Sequence, residues 1–219
     1  MNELSFIFPM SFTDITTEKK TPPNEKYQRI IDAAIRVFSQ KGFYNAKVSD
    51  VAKVAEVADG TIYLYFKNKD DLLVSIFESS MDYFFQQAKD RMEEGLDPSE
   101  KLRRFIELHL DAVQKNQGLA QVLQIELRSS TRFMKEYKAE KFFQYLKLIE
   151  EIILEGQARA LFKPSISAEI AKRAIFGAID ELALEWVLMK KKRYPVQEAA
   201  AQLCEIILSG LAAPVGIKN

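Results

Sequence analysis

Apolar residues recur every three or four positions from residue 24 onward, and this spacing predicts a chain built from α-helices. The first predicted helix spans 24–41. Asn24 is a suitable N-cap for it, and Gly42 is a suitable residue for leaving it. Its apolar face consists of Ile30, Ile31, Ala34, Val37 and Phe38. This helix opens a compact three-helix unit that ends near residue 66.

Two shorter helices are predicted next, at 48–55 and 60–65. The turn at 56–58 joins them, and Asp59 is expected to cap the second helix. Two short helices joined in this way have the geometry of a helix-turn-helix, in which the second helix enters the major groove of DNA. The alternative is a packed helix pair with exposed tyrosines, because such pairs also occur in proteins that do not bind DNA.

The rest of the chain predicts longer helices. Their expected spans are about 69–92, 98–115, 119–128, 131–159, 168–190 and 195–210, with Asn68, Asp97 and Ser167 as caps. The inner face of the 168–190 helix is expected to carry Ile170, Ala174, Ile175, Ala178, Ile179, Leu182 and Trp186. The pattern as a whole predicts an all-α protein, in which the N-terminal three-helix unit is joined to a larger C-terminal helical bundle.

Composition narrows the function classes. The 219 residues include 31 Lys and Arg and 31 Asp and Glu, so a protein coated with basic surface is excluded, but a local basic patch is not. One Cys excludes an intrachain disulfide framework, and one His with one Cys excludes a zinc site of the usual Cys/His kind within one chain. No nucleophile and base stand in a convincing pattern. We therefore expect no catalytic residue, no metal and no cofactor, and a protein that is not an enzyme.

The N-terminal segment does not resemble a targeting signal. Met1–Phe12 carries Glu3 and no basic region, and Pro9 interrupts its apolar run. No stretch of the chain approaches the ~20 uninterrupted apolar residues that a membrane span needs. We expect a cytoplasmic protein that does not contact the membrane.

The second short helix carries residue types suited to DNA. Gly60 has no side chain, so the backbone can approach a phosphate closely. Thr61 can bond a base edge or a phosphate, and Tyr63 and Tyr65 add phenolic donors. The run Phe66-Lys67-Asn68-Lys69 places two cations beside a helix N-terminus, which favours phosphate binding.

The segment Val57–Leu72, VADGTIYLYFKNKDDL, resembles the signature of the TetR/AcrR family of bacterial repressors. Supporting matches are Ile31-x-Ala33-Ala34, Val37-Phe38, Gly42-Phe43 and Asp50-Val51-Ala52. The resemblance implies a homodimer whose recognition helices enter successive major grooves of a double-stranded, pseudo-palindromic operator. It places Thr61, Tyr63 and Tyr65 at groove-facing positions, and Lys67 and Lys69 at phosphate-contacting positions.

One position departs from the family pattern. The family usually has Ser or Thr where Lys47 stands, capping the helix at 48–55 and touching the DNA backbone. Lys47 cannot cap in this way because its ammonium accepts no hydrogen bond. It can still reach a phosphate as a cation, and the cap is expected to come from elsewhere or to be absent.

The C-terminal half resembles one subgroup of the family, the fatty-acid-degradation repressors of Gram-positive and related bacteria. The matching pieces are Gln124-Ile125-Glu126-Leu127-Arg128, Glu155-Gly156, Ile175–Glu181 and Trp186. This resemblance implies a sensor of long-chain acyl-CoA that releases DNA when the thioester binds. The alternative effector is another hydrophobic molecule, such as a drug or a free fatty acid.

An acyl-CoA needs an apolar tunnel for its chain and cations for its phosphates. The apolar candidates are Phe105, Leu108, Leu123, Leu127, Phe133, Phe142, Phe176 and Ile179, and the cationic candidates are Arg103, Arg104, Arg128 and Arg132. His109 lies among them in sequence. The alternative is that the aromatic residues form ordinary bundle core, that the arginines are solvated or ion-paired, and that His109 is a structural hydrogen-bond partner.

Three further segments have a structural interpretation. Cys204, which lies between Leu203 and Ile206 on the last predicted helix, is expected to be buried and inert. The Lys190–Arg193 run is expected to be a solvated helix end, which suits the helix dipole. The helices at about 168–190 and 195–209 are apolar on more than one face. By the family resemblance they form the dimer interface, and the alternative is burial in the monomer's own core.

The predicted organisation follows from these features. It consists of a disordered leader at 1–23, a helix-turn-helix DNA-binding domain at 24–70, a ligand-binding and dimerisation domain at 71–212, and a tail at 213–219. The 69–92 helix is expected to transmit a change of ligand state to the DNA-binding domain. The hypotheses from other classes are an enzyme on a helical scaffold and a helical adaptor that binds protein rather than DNA.

Overall fold

The computed structural model describes residues 25–92, 95–130, 133 and 140–213. In chain order its helices are α1 (Glu25–Lys41), α2 (Val48–Ala55), α3 (Asp59–Tyr65), α4 (Lys69–Arg91), α5 (Pro98–Lys115), α6 (Gln117–Gln121), a π-helical turn (Val122–Glu126), α7 (Leu127–Ser129), α8 (Glu140–Ala158), α9 (Ala168–Leu188) and α10 (Val196–Leu211). The all-α prediction is confirmed. The predicted leader and most of the predicted tail lie outside the described residues.

Several helix ends follow the predicted chemistry. Gly42 takes a left-handed conformation, with φ +77°, directly after α1. The Asn68 carboxamide accepts a hydrogen bond from the Asp71 amide at the start of α4, and the Asp97 carboxylate accepts one from the Ser99 amide at the start of α5. These caps bind amide groups that have no partner inside the helix.

Other ends differ from the prediction. Helix α3 begins at Asp59, so this residue lies in the first turn and Ala58 occupies the N-cap without a side-chain hydrogen bond. Ser167 likewise makes no side-chain cap. Gly210 lies inside α10, which continues to Leu211, and the Leu211 carbonyl accepts a hydrogen bond from the Lys163 amide (2.8 Å).

The segment predicted as one short helix at 119–128 has a more complex course. It starts earlier, after Asn116, whose carboxamide caps α6, and it contains the π-helical turn. A π-helical turn accommodates an extra residue per turn, and such turns occur frequently at functional sites. Of the long helix predicted at 131–159, Phe133 and 140–158 are described, and the remainder lies outside the described residues.

Two apolar cores occupy the two ends of the molecule. The N-terminal core contains buried residues from α1, α2, α3 and the first half of α4, together with Val122 and Leu127. The C-terminal core contains buried residues from the second half of α4 and from α5, α8, α9 and α10. Along α4 the packing changes from one core to the other between Phe77 and Phe84. The predicted domain boundary after residue 70 stays a prediction.

The inner face of α9 was predicted with two residues too many. Ile170 is 71% exposed and Ala174 is also exposed, whereas the buried positions are Ala171, Ile175, Ile179, Ala183 and Trp186. The buried positions face α5 and α8, which pack against α9. Within the described part of the chain, no helix is long and apolar enough to cross a bilayer.

Candidate functional site

The α2–α3 turn has a well-defined backbone. Glu56 takes a left-handed conformation (φ 56°), and its amide donates to the Ala52 and Lys53 carbonyls. From α1, the Arg29 guanidinium donates to the Ala55 carbonyl (2.8 Å) and to the Glu56 carbonyl (3.3 Å). These bonds occupy the carbonyls at the end of α2 and fix the direction in which α3 begins.

Helix α3 has one face in the N-terminal core and one in solvent. Ile62 is buried, whereas Tyr63 is 57% exposed and Leu64 is 82% exposed. Gly60 is exposed, and Thr61 is half-buried. Leu64 was not among the predicted contacts, because its apolar side chain gave no signal for DNA binding.

Two predicted contact residues lie deeper than expected. Phe66 is 2% exposed, and its ring centroid lies 5.2 Å from that of Tyr27. Phe66 was predicted to contact DNA as part of the run Phe66–Lys69, but its buried ring does not reach the surface. The ring instead anchors the end of α3, because the turn into α4 directs it towards the core. Tyr65 is half-buried, with its ring edge-on to Tyr27.

The two lysines of this turn differ. Lys69 Nζ donates to the carbonyls of Phe43 (2.7 Å), Ala46 (3.0 Å) and Tyr44 (3.3 Å), and it lies 4.5 Å from the centroid of the Phe43 ring. Its ammonium thus holds the loop between α1 and α2. The Lys67 side chain is exposed, and its backbone amide donates to the Asp71 carboxylate (2.8 Å).

The start of α2 confirms that Lys47 does not cap through its side chain. Instead, the Asp50 carboxylate accepts a hydrogen bond from the Lys47 amide (3.0 Å) and pairs with Lys41 (2.8 Å). The hydrogen bond from Lys41, followed by that from the Lys47 amide, lowers the pKa of Asp50. The Lys47 side chain is left exposed.

A shallow hollow of about 470 Å³ lies between α2, α3 and the start of α4. It is lined by Ala46, Lys47, Val48, Ser49, Asp59, Tyr63, Asn68 and Lys69. Ser49, which lies exposed in the first turn of α2, was not among the residues predicted from the sequence. Its position next to Lys47, at a helix N-terminus, was the available signal.

Aromatic side chains meet in the middle of the C-terminal core. The Tyr145 ring centroid lies 4.9 Å from that of Phe105, 5.3 Å from that of Phe84 and 5.8 Å from that of Phe176. Phe142 in turn lies 4.9 Å from Phe176. The predicted candidates Phe105, Phe142 and Phe176 are thus brought together. The sequence analysis missed Phe84 and Tyr145 in this aromatic cluster.

His109 belongs to the same cluster. Its Nδ1 lies 3.0 Å from the Tyr145 hydroxyl oxygen. Burial lowers the pKa of His109 to about 4, against a smaller opposite effect of the Asp180 charge. Burial also raises the pKa of Tyr145. The imidazole is therefore neutral at pH 7, and the ring acts as a hydrogen-bond partner inside the bundle.

A polar cluster lies beside the aromatic cluster. The Asp180 carboxylate is paired with the Arg128 guanidinium and accepts a hydrogen bond from Gln124 Nε2 (3.3 Å). Gln124 is 8% exposed, and its Oε1 has no hydrogen-bond partner among the described residues. Arg128 is thus ion-paired, which was the predicted alternative to a role in binding the phosphates of the ligand.

The other ligand-site candidates are dispersed. Arg104 lies near the start of α5, where it bonds the Glu100 carboxylate (2.9 Å) and the Arg91 carbonyl (2.7 Å). Leu123, Leu127 and Phe133 pack against the N-terminal core, whereas Leu108 and Ile179 lie in the C-terminal core. Arg103 is near Glu100 (3.7 Å), and Arg132 lies outside the described residues.

The segment from α6 to α7 connects the two ends of the molecule. The Glu126 carboxylate accepts a hydrogen bond from the Phe43 amide (2.7 Å). The Gln121 carboxamide donates to the Ser39 carbonyl (2.8 Å), and the Tyr44 hydroxyl donates to the Ser129 carbonyl (2.7 Å). Gln124 and Glu126, two residues apart on the π-helical turn, thus contact the polar cluster and the α1–α2 loop respectively.

The remaining candidates have structural roles. Lys192 Nζ donates to the Trp186 and Met189 carbonyls at the end of α9, as expected for a cationic helix terminus. Cys204 is buried, and this burial raises the pKa of its thiol to about 11, so the group is a poor nucleophile at neutral pH.

The helix-turn-helix, followed by a helical bundle with an aromatic interior, defines a DNA-binding regulatory protein with a separate sensor region. Residues 30–76 match the bacterial regulatory proteins of the tetR family, and residues 77–210 match the C-terminal region of YsiA-like proteins. The chain belongs to the tetR family of bacterial regulatory proteins.

Particular relatives narrow the comparison. The chain is 37% identical to the fatty acid metabolism regulator protein of Bacillus subtilis over 186 residues, which cover 85% of this chain and 95% of the relative. It is 36% identical to the fatty acid degradation regulator FadR from Bacillus halodurans, with a TM-score of 0.81 over 88% of this chain and all of the other. FadR from Bacillus subtilis in complex with stearoyl-CoA is similar at 36% identity and a TM-score of 0.79, over 84% of this chain and 98% of the other. These relatives are transcriptional regulators.

Proposed function

We propose that this protein is a homodimeric repressor of fatty-acid metabolism genes that leaves its operator when a long-chain acyl-CoA binds. The observation that carries the proposal is the aromatic cluster around Tyr145, enclosed by α4, α5, α8 and α9. Such a cluster offers an acyl chain an apolar environment. The similarity to a regulator bound to stearoyl-CoA supports the same ligand class.

The exposed face of α3 is the proposed reading surface. Gly60, Thr61, Tyr63 and Tyr65 are retained as contacts from the sequence analysis, and Leu64 is added because its side chain projects into solvent. A leucine there can make an apolar contact with a thymine methyl group. Phe66 contributes by anchoring the helix rather than by touching DNA.

The proposed backbone contacts flank this surface. Lys47 and Ser49 line the hollow at the start of α2, and Lys67 is an exposed cation two residues before Lys69, which also lines it. A phosphate in the hollow would lie near the N-termini of α2 and α4, which favour anions. Lys69 supports this site mainly by fixing the α1–α2 loop, because its ammonium already has three carbonyl partners.

The outer faces of α9 and α10 are the proposed dimer interface. Ile170 and Leu188 on α9, and Ile206 on α10, are large apolar residues that the single chain leaves exposed. Gly177 and Gly210 lie on exposed parts of these helices and have open space around them. A self-complementary patch of this kind suits a two-fold interface, which would present two copies of α3 to one operator.

Two structural links could carry the change of state. Helix α4 contributes to both cores, in agreement with the predicted role of the 69–92 helix. The second link is the hydrogen bond between the Glu126 carboxylate and the Phe43 amide. Release from DNA requires that the acyl-CoA bind more tightly to the conformation that does not fit the operator.

The first experiment is a thermal-shift series on the full chain with palmitoyl-CoA, palmitate and coenzyme A. We expect a clear rise in Tm with palmitoyl-CoA and little change with either fragment, because stabilisation grows with the logarithm of ligand over Kd. The same ligand should then release the protein from its own promoter DNA in a gel-shift assay. A rise with palmitate alone would favour a free fatty acid as the effector, and no rise with any of the three would reject the acyl-CoA assignment.

A matched pair of tyrosine variants separates DNA binding from ligand binding. Tyr63→Ala should abolish operator binding and keep the response to palmitoyl-CoA, whereas Tyr83→Ala, at an exposed tyrosine on α4, should change neither. If the wild-type protein retarded its own promoter DNA no more than unrelated DNA, the repressor assignment would be contradicted. Sedimentation should give twice the 25.1 kDa of one chain.

A further inference from the structure

The buried carboxamide of Gln124 has one satisfied end and one unsatisfied end. Its Nε2 donates to the Asp180 carboxylate, while its Oε1 is buried without a hydrogen-bond partner among the described residues. A buried acceptor without a hydrogen bond is unfavourable, because it has lost its contact with water and gained no partner in return. A ligand group that donates to this oxygen would therefore gain affinity from it.

The orientation of the carboxamide is fixed by its neighbours. The Asp180 carboxylate is paired with Arg128, and its Oδ1 accepts hydrogen bonds from both Arg128 and Gln124. A flipped Gln124 would place Oε1 against this carboxylate, and two acceptors would then repel each other. The free group is consequently an acceptor, and the ligand atom that it selects must be a donor.

The polar cluster lies one helical turn from the aromatic cluster. Phe176 and Asp180 are four residues apart on α9, so they share one face of that helix. Phe176 lies against the Phe142 and Tyr145 rings. An acyl chain packed among these rings would bring the groups next to its thioester towards Gln124.

The possible ligands differ in whether they carry a hydrogen-bond donor close to the acyl chain. An acyl chain and its thioester carry no hydrogen-bond donor, and a fatty acid carboxylate carries only acceptors and a negative charge. The first donor in an acyl-CoA is the amide N–H of the pantetheine arm nearest the sulfur. Four bonds separate it from the thioester carbonyl carbon, a reach of roughly one helical turn.

We propose that Gln124 Oε1 accepts a hydrogen bond from this amide N–H, and that the contact distinguishes an acyl thioester of coenzyme A from a free fatty acid of the same chain length. The inference rests on the proposed acyl-CoA effector and adds the residue that recognises the thioester arm. Asp180 has a positioning role, because it holds the carboxamide in the orientation that leaves Oε1 free.

Two short thioesters test the contact on the full-length protein by calorimetric titration. The dodecanoyl thioester of N-acetylcysteamine carries the amide, and S-pentyl dodecanethioate has the same length without it. We expect the wild-type protein to bind the amide-bearing thioester about tenfold more tightly than S-pentyl dodecanethioate. It should also prefer the amide-bearing thioester to dodecanoate by about tenfold or more. Equal binding of the two thioesters would overturn the inference.

Gln124→Met is the matching variant, because methionine has a similar length and offers neither amide group. It should reduce the preference for the amide-bearing thioester to near unity. The control is Gln121→Met, the same substitution three residues earlier on a side chain that bonds Ser39 instead, and it should keep the preference. A preference retained in Gln124→Met would overturn the assignment of this residue.

The failure of this inference can be told apart from failure of the proposed function. If palmitoyl-CoA binds and the two thioesters bind equally, the function stands and the amide contact is rejected. If neither palmitoyl-CoA nor either thioester binds the wild-type protein, both are rejected together.

Discussion

The two cores of this protein differ in what they bury. In the N-terminal core every buried residue is apolar, and no polar residue is buried anywhere in the described range 25–92. The C-terminal half buries Lys101, Gln124 and Ser130, and it encloses the hydrogen-bonded pair of His109 and Tyr145. A close-packed apolar core holds one shape, whereas a buried polar group that is only half satisfied, such as Gln124, can take on a further partner.

This difference suits the two proposed tasks. A DNA-reading unit gains from a rigid shape, because the exposed residues of α3 must meet the major groove in a fixed register. A sensor must instead accept a ligand and pass on the change. The polar interior groups, and the π-helical turn that carries Gln124 and Glu126, lie in the part that would have to adjust.

The largest expected effect concerns the close packing of the C-terminal core. Gly156→Ala should lower the free energy of unfolding by about 3 kcal/mol, because a Cβ at this position would lie 2.1 Å from Cδ2 of the buried Phe162 ring. Urea unfolding measures the change. Gly60→Ala in α3, outside the proposed dimer interface, is the control for unfolding, since its Cβ would meet nothing within 4 Å, and it should leave the free energy of unfolding unchanged or slightly raised. Equal stabilities would show that the bundle accommodates Phe162 elsewhere.

The next prediction concerns the acid sensitivity of the C-terminal core. The folded-state pKa of His109 is about 4, below its ordinary value of 6.5, so between these pH values the unfolded chain binds more protons than the folded chain. The free energy of unfolding should therefore decrease as pH falls from 6.5 to 4, by up to roughly 3 kcal/mol from this residue.

His109→Gln removes this contribution and keeps a polar group of similar length. Urea unfolding at several pH values and one protein concentration should show a steeper loss for the wild-type chain than for the variant. The two proteins carry the same carboxylates, so the difference reports His109 together with its interaction with Asp180. Parallel curves would mean that the imidazole is protonated without cost and that the ring is not enclosed as described.

The sequence predicted the N-terminal region far better than the bundle. The signature Val57–Leu72 is local, so the order of α3, its turn and α4 could be read from neighbouring residues. The burial of Phe66 and the internal bonds of Lys69 could not, because they depend on Tyr27 and on the α1–α2 loop, which lie far away in sequence.

In the bundle the missing information was geometric. The apolar spacing of 119–128 looks the same for an α-helix as for one interrupted by a π-helical turn, yet the turn decides where Gln124 and Glu126 lie. The exposure of Ile170 likewise depends on which face of α9 meets α5 and α8. The candidate aromatic residues could be listed from the sequence. Those that contact one another could not be selected, because the contacts join residues on different helices.

Lys67 and Lys69 were both predicted to contact phosphates, but their substitution should have different effects on stability and on operator binding. Lys69→Met should lower the free energy of unfolding by about 2 kcal/mol, because three carbonyls lose a charged donor. Lys67→Met should leave unfolding nearly unchanged. It should instead weaken operator binding and reduce the slope of affinity against salt concentration by about one.

Urea unfolding and gel-shift titration at several salt concentrations measure both effects. If Lys69→Met proved as stable as the wild-type chain while losing operator affinity, its ammonium would serve DNA rather than the loop. The α1–α2 loop would then be held in place without the Lys69 ammonium.

The smallest expected effect concerns the most exposed large apolar side chain described, Leu64. Leu64→Ala should change the free energy of unfolding by less than about 0.5 kcal/mol, because the side chain lies outside both cores. It should weaken operator binding about tenfold, the loss expected when one specific apolar base contact disappears. Leu154→Ala on α8, at another exposed leucine, is the matched control and should leave operator binding unchanged. An unchanged affinity in Leu64→Ala would confine direct reading to polar residues such as Thr61 and Tyr63, and an equal loss in both variants would show that the effect does not arise at the DNA surface.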